Sequence, residues 1–175
     1  MARLPKPARV ILGIAGMALL VIIPLAVLSR YAGGWGVPYF SFTTERGSPC
    51  TNTLTGYTCR PLTLADVEFW AEVDLPDDTV VRDATYVSTH DYRLDATLTV
   101  PPASAEEALA SLKEAFGPCQ KNRAAPMDTE GLESVCVMSD ETATRAGEAT
   151  SRLWSVGTGL TADGNRPVVL AIRSR

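Results

Sequence analysis

His90 is the only histidine in the chain, and Asp91 stands directly after it. A histidine and a carboxylate are the parts of a general base and its orienting partner, so a hydrolase built on His90 and acidic groups is one chemistry to weigh. Side chains adjacent in sequence rarely face each other, and no GxSxG, SxxK or HExxH stretch supplies a nucleophile or a metal. The expected role of His90 is that of an exposed turn residue. Asp128-Thr129-Glu130 lacks the glycine of an aspartic protease loop and reads as loop. Gly157-Thr158-Gly159 lacks the spacing and the following helix of a phosphate-binding loop and reads as a bend near a strand end.

The densest charge feature is the acidic group Asp66, Glu68, Glu72, Asp74, Asp77 and Asp78. Oxygen-rich clusters can hold calcium, but the EF-hand pattern is missing and solvation alone accounts for an acidic outward face. Trp70 stands among these carboxylates. If residues 68 to 75 form a strand, Phe69, Ala71, Val73 and Leu75 point one way, and Glu68, Trp70, Glu72 and Asp74 the other. A Trp on the outward face with Glu68 and Glu72 beside it is a candidate binding surface, because aromatics are enriched where interfaces concentrate their energy. The competing role is a second core layer, with a helix or loop covering Trp70. Trp70, Glu68 and Glu72 are thus the candidate binding residues. No residue is assigned to catalysis, to a metal or to a cofactor.

Cys50, Cys59, Cys119 and Cys136 are the four cysteines. Their intervals of eight, fifty-nine and sixteen residues do not match the CxxC-like pairs of structural zinc. An even number in an oxidising compartment reads as two disulfides. Of three connectivities, Cys50 with Cys59 and Cys119 with Cys136 is favoured, since each pair flanks a loop-like segment. Closing loops of that order contributes about 2 to 3 kcal/mol each in the chain-entropy model.

The compartment follows from the segment that precedes them. Val10 to Leu28 is nineteen residues without a charge, twelve of them Ile, Leu or Val. As a helix it reaches about 28 Å, close to the roughly 30 Å hydrocarbon core of a bilayer. Arg3, Lys6 and Arg9 precede it, with only Arg30 close after, so the positive-inside rule keeps residues 1–9 cytoplasmic and sends the rest outside. A cleaved signal peptide is the alternative, but its apolar core is usually about 7 to 15 residues. Val27-Leu28-Ser29 followed by Arg30 is also a poor cleavage site, so an uncleaved anchor is favoured. Gly13 and Gly16 miss the GxxxG spacing of closely packed helices, and Tyr31 and Trp35 fall where an aromatic belt sits at the headgroups.

Residues 29–49 mix glycine, proline and aromatics and read as an irregular stalk, leaving residues 50–175 as one extracytoplasmic domain. Of the 16 Lys and Arg, four lie in residues 1–30, leaving twelve against all 20 Asp and Glu, a formal charge of −8. Such a surface repels polyanions, so nucleic acid is not an expected partner. Thirteen of the sixteen basic residues are Arg, the usage of a high-GC bacterial genome.

Within the domain, strands are expected over residues 68–75, Thr79–Val87 and Tyr92–Val100 as a meander, then over Glu133–Met138, Arg152–Gly157 and Val168–Arg173. Tyr92, Leu94, Ala96, Leu98 and Val100 face inward. A helix is expected from a capping box of Ser104 and Glu107 to Phe116, ended by Gly117-Pro118. Asp163-Gly164-Asn165 reads as a turn, and Glu141–Thr150 as either a short helix or a loop. The fold class is α+β: an antiparallel sheet with one main helix packed on it, braced by two disulfides and held by the N-terminal transmembrane helix. An immunoglobulin-like sandwich would require residues 104–116 not to be helical. The expected function is binding: the bilayer through residues 10–28, and a protein partner outside the cytoplasm. A hydrolase using His90, or a domain released by signal peptidase, are the alternatives.

Overall fold

The computed structural model describes residues 6–140 and 152–174, with side chains from Leu12 onward. Helix α1 runs from Lys6 to Ala32. Its stretch Leu12–Ala32 is long and apolar enough to cross a membrane, and every residue from Leu12 to Tyr31 is exposed. A membrane anchor and a signal sequence both meet that description.

The rest is built on one antiparallel sheet. Its strands are β1 (Ser41–Thr43), β2 (Pro49–Asn52), β3 (Tyr57–Cys59), β4 (Val80–Ser88), β5 (Tyr92–Val100), β6 (Glu133–Asp140), β7 (Leu153–Leu160) and β8 (Arg166–Arg173). Their order is β1-β2-β3-β4-β5-β8-β7-β6, which rules out a two-sheet sandwich. One row of register partners crosses seven strands: Ser41, Thr51, Thr58, Val87, Arg93, Arg173 and Leu153. The next row along is Phe42, Cys50, Cys59, Tyr86, Leu94, Ile172 and Trp154. Alternation puts this second row on the face that carries the core, with Leu98, Val100, Met138, Val156, Val168 and Leu170.

Helices α2 (Leu64–Ala71) and α3 (Ala105–Phe116) cover that face. Helix α3 is the expected one, burying Ala105, Ala108, Leu112 and Phe116 at helical spacing and stopping at Gly117. Its start differs. A single 3-10 turn, Pro102–Ser104, precedes it, so the Ser104 hydroxyl makes no cap and donates instead to Asp78 at 2.8 Å. Arg166 enters from β8, fully buried, and donates from Nε to the Ala105 carbonyl at 2.7 Å and from Nη2 to Glu106 at 3.0 Å. Buried charge is tolerated only with such partners.

Residues 64–71 correct the expected strand over 68–75. Thr63 accepts a hydrogen bond from the Asp66 N–H at 3.2 Å and caps a helix, which ends where Glu72 turns left-handed at φ 52°. Val67 and Ala71, four apart, are both fully buried, so helical spacing wins over the alternation that a short apolar-acidic run also satisfies. The segment 29–49 is likewise no irregular stalk throughout: its first residues complete α1, and Ser41–Thr43 adds an edge strand to the sheet. The other expected strands are present: β5 with the expected bounds, β4 one residue later, β6 and β8 extended by two residues, and β7 shifted toward Leu160. Glu141–Thr150 lies outside the described residues.

Both favoured disulfides form, Cys50–Cys59 between neighbouring strands and Cys119–Cys136 across a long loop. That loop crosses the outer face of the sheet, and Gly157 and Gly159 make room for it. A Cβ on Gly157 would stand 2.8 Å from Pro126, and one on Gly159 3.0 Å from Leu132. These glycines lie inside β7, so they serve close packing rather than a bend or a phosphate.

Candidate functional site

Helix α2 delivers Phe69 and Trp70 side by side at its C-terminal end. Val67 and Ala71 fix the buried stripe, which turns Trp70 toward β4 and leaves Phe69 54% exposed. The Trp70 indole stacks on the Tyr86 ring with centroids 3.9 Å apart and planes 5° from parallel. Tyr92 on β5 lies diagonally across the β4–β5 pair, 6.2 Å from Tyr86, and Tyr57 on β3 flanks the other side at 6.0 Å. Phe42 on β1 meets Tyr57 edge-on at 5.5 Å and 76°. Four strands and helix α2 thus build a continuous aromatic surface on the core side, beyond the cover of α3.

A cavity of about 380 Å³ opens beside it, lined by Phe69, Trp70, Glu72, Tyr86 and Tyr92. Burial, with the neighbouring Tyr57 adding to it, pushes the Tyr86 hydroxyl up to about 12, so the floor stays neutral at any physiological pH. Glu72 supplies the charge. It pairs with Arg152 at 2.7 Å, and the same guanidinium donates to the Ala71 carbonyl, tying the end of α2 to the start of β7.

Glu68 points elsewhere. Its Oε1 accepts from the Leu75 N–H at 2.9 Å and holds the chain that leaves α2; burial raises its carboxyl above the usual range, with Asp74 and Asp77 adding repulsion. It lines a shallower depression with Arg46, Phe69, Glu72 and Asp74, where the Arg46 guanidinium sits 3.7 Å over the Phe69 ring. Of the three candidate binding residues, Trp70 and Glu72 share the aromatic cavity and Glu68 stands outside it. Phe69, Tyr86 and Tyr92 were missed as site residues. Tyr92 was legible as inward-facing, but nothing in the sequence says that Trp70 stacks on Tyr86 sixteen residues later.

The acidic group does not converge. Asp66 is buried and accepts from the Thr44 hydroxyl at 2.6 Å and the Ser48 N–H at 3.3 Å, while Asp78 is taken by Ser104. Among the described residues no cluster of three or more His, Cys, Asp or Glu is placed to hold a metal ion. His90 stands exposed on the β4–β5 turn and does not line the aromatic cavity. Two further hollows, of about 260 and 170 Å³, lie on the outer face of the sheet beside Pro126; the smaller is lined by Asp83 and Asp95, whose carboxylates pair with Arg60 and Arg93. No family model, curated protein or solved structure matches the chain.

Proposed function

We propose that α1 is an uncleaved anchor with a cytoplasmic N-terminus, and that the domain it holds outside binds a protein partner through the aromatic surface at the end of α2. The observation that carries this reading is the exposed Phe69 beside Trp70 at the mouth of a neutral aromatic cavity, with one carboxylate, Glu72, on its rim. Rigid aromatics give contact area at low entropic cost, and a single charge gives orientation. Two disulfides suit an oxidising compartment, and the formal charge of the outer part suits a protein rather than a nucleic acid.

A photoreactive residue at Phe69 in the full-length protein, irradiated in native membranes, should give one discrete adduct. The same residue at Ala162, on the distant β7–β8 turn, should give none, and Trp70→Ala should abolish the adduct from position 69. Equal labelling from both positions, or none from Phe69 in a folded domain, would sink the proposal.

A further inference from the structure

The junction between α1 and the sheet is built as a fixed joint. The Asn52 side chain, buried in the joint, donates to the Gly33 carbonyl at 2.7 Å, and the Val37 N–H donates to the Ala32 carbonyl at 3.0 Å. Backbone bonds run both ways between the next turn and β2, Tyr39 N–H to the Asn52 carbonyl at 2.8 Å and Asn52 N–H to the Phe40 carbonyl at 3.0 Å. Gly33 lies so close to the Ser41 carbonyl that a Cβ there would overlap it. With these contacts the domain cannot swing freely at the end of the helix.

The register then says which end of the sheet is turned toward the helix. Strand β1 leaves the joint at Ser41, so the row from Ser41, Thr51, Thr58 and Val87 to Arg93, Arg173 and Leu153 marks the near side. Its charged positions lie on β5 and β8, and the β2–β3 turn projects beyond its uncharged part. At the tip of that turn Leu54 is 75% exposed; Tyr39 and Trp35 in the joint are 76% and 66% exposed, and Trp35 stacks on Tyr31 at 6.3 Å. No charged residue occurs from Tyr31 to Thr44 or from Gly47 to Cys59. An uncharged, aromatic-rich surface continuous with an apolar helix has the composition of the membrane–water interface, where amphipathic rings settle at headgroup level.

We propose that this end of the domain rests on the bilayer, with Leu54 and Tyr39 seated in the headgroup layer beside Trp35. The proposal rests on the reading of α1 as an anchor. It adds that the domain holds one orientation to the lipid surface, which presents the cavity at Trp70, Tyr86 and Tyr92 close to the membrane rather than far above it.

The test uses the full chain in phosphatidylcholine vesicles. All four native cysteines are bonded, so a single introduced cysteine can carry an environment-sensitive fluorophore. The variants are Leu54→Cys, Tyr39→Cys as a second surface position, Leu20→Cys in the helix, and Ala162→Cys on the far turn. A spin label on the lipid headgroup should remove most emission from positions 54 and 39, and a label deep in the chains should do so for position 20. Position 162 should respond to neither and be quenched by aqueous iodide. If positions 54 and 39 follow 162 while 20 remains lipid-quenched, the surface proposal fails and the anchor stands. If 54 and 39 are shielded from iodide and from both lipid labels, protein covers them and the proposal is equally overturned. If position 20 is itself open to iodide, the anchor reading fails and the surface proposal with it.

Discussion

Glu68 and Glu72 sit four residues apart on one short segment and do different work. Glu72 faces the aromatic cavity and pairs with Arg152, whereas Glu68 spends its carboxylate on the Leu75 N–H. Because burial raises the Glu68 carboxyl, the folded state holds its proton more tightly than the unfolded chain does. Its contribution is therefore fully favourable below the ordinary value and is lost as pH rises through the raised one. Glu68→Gln keeps an acceptor for Leu75 without the charge. In urea titrations this variant should gain on the native protein between about pH 4 and pH 7, where an ordinary carboxyl gives up its proton. Glu68→Ala leaves the Leu75 N–H unpaired and should cost about 1 to 2 kcal/mol at both. Equal pH profiles for the Gln variant and the native protein would show that the carboxyl is solvated.

At the scale of elements, the loop closed by Cys119–Cys136 gives β7 a partner on its outer face. The two glycines of β7 are unfavourable in a strand interior by propensity, and the packing of Pro126, Met127 and Leu132 is what they permit. Gly157→Val is therefore expected to destabilise by about 1 to 3 kcal/mol although valine prefers strands, because the proline ring cannot move aside as a flexible side chain would. Replacing both Cys119 and Cys136 by alanine should cost about 3 kcal/mol. Combined with Gly157→Val, the loss should fall short of the sum, since a released loop no longer presses on the new side chain. Additive losses in denaturant melts would mean that the loop is held by something other than the disulfide.

For the whole molecule, the question is where the chain begins once it reaches its compartment. An uncleaved anchor predicts that the intact mass from native membranes includes Met1 and is lighter than the reduced form by the hydrogens of two disulfides. A mature chain starting near Arg30 would instead make α1 a signal sequence. It would also cut the helix just before the joint at Gly33 and Asn52, leaving Leu54 and Tyr39 bare in solution. Such a domain should associate at micromolar concentration, whereas the anchored protein in vesicles should not.

What the residues determined by themselves was local. The uncharged run at the N-terminus, the α3 helix, the inward alternation of β5 and the paired cysteines were legible because each depends on neighbours within one element or one loop. Backbone geometry ties those neighbours to a period of 2 or 3.6. Where two periods fit the same few residues, as at Glu68 to Leu75, the alternation misled, and only burial of Val67 and Ala71 beneath one sheet decided for a helix. Tertiary structure alone decided that Trp70 would meet Tyr86, that Gly157 would lie under Pro126, and that Asn52 would hold the Gly33 carbonyl at the end of α1. Each of these joins surfaces distant in sequence, and its position is set by strand order and register, which no single element encodes.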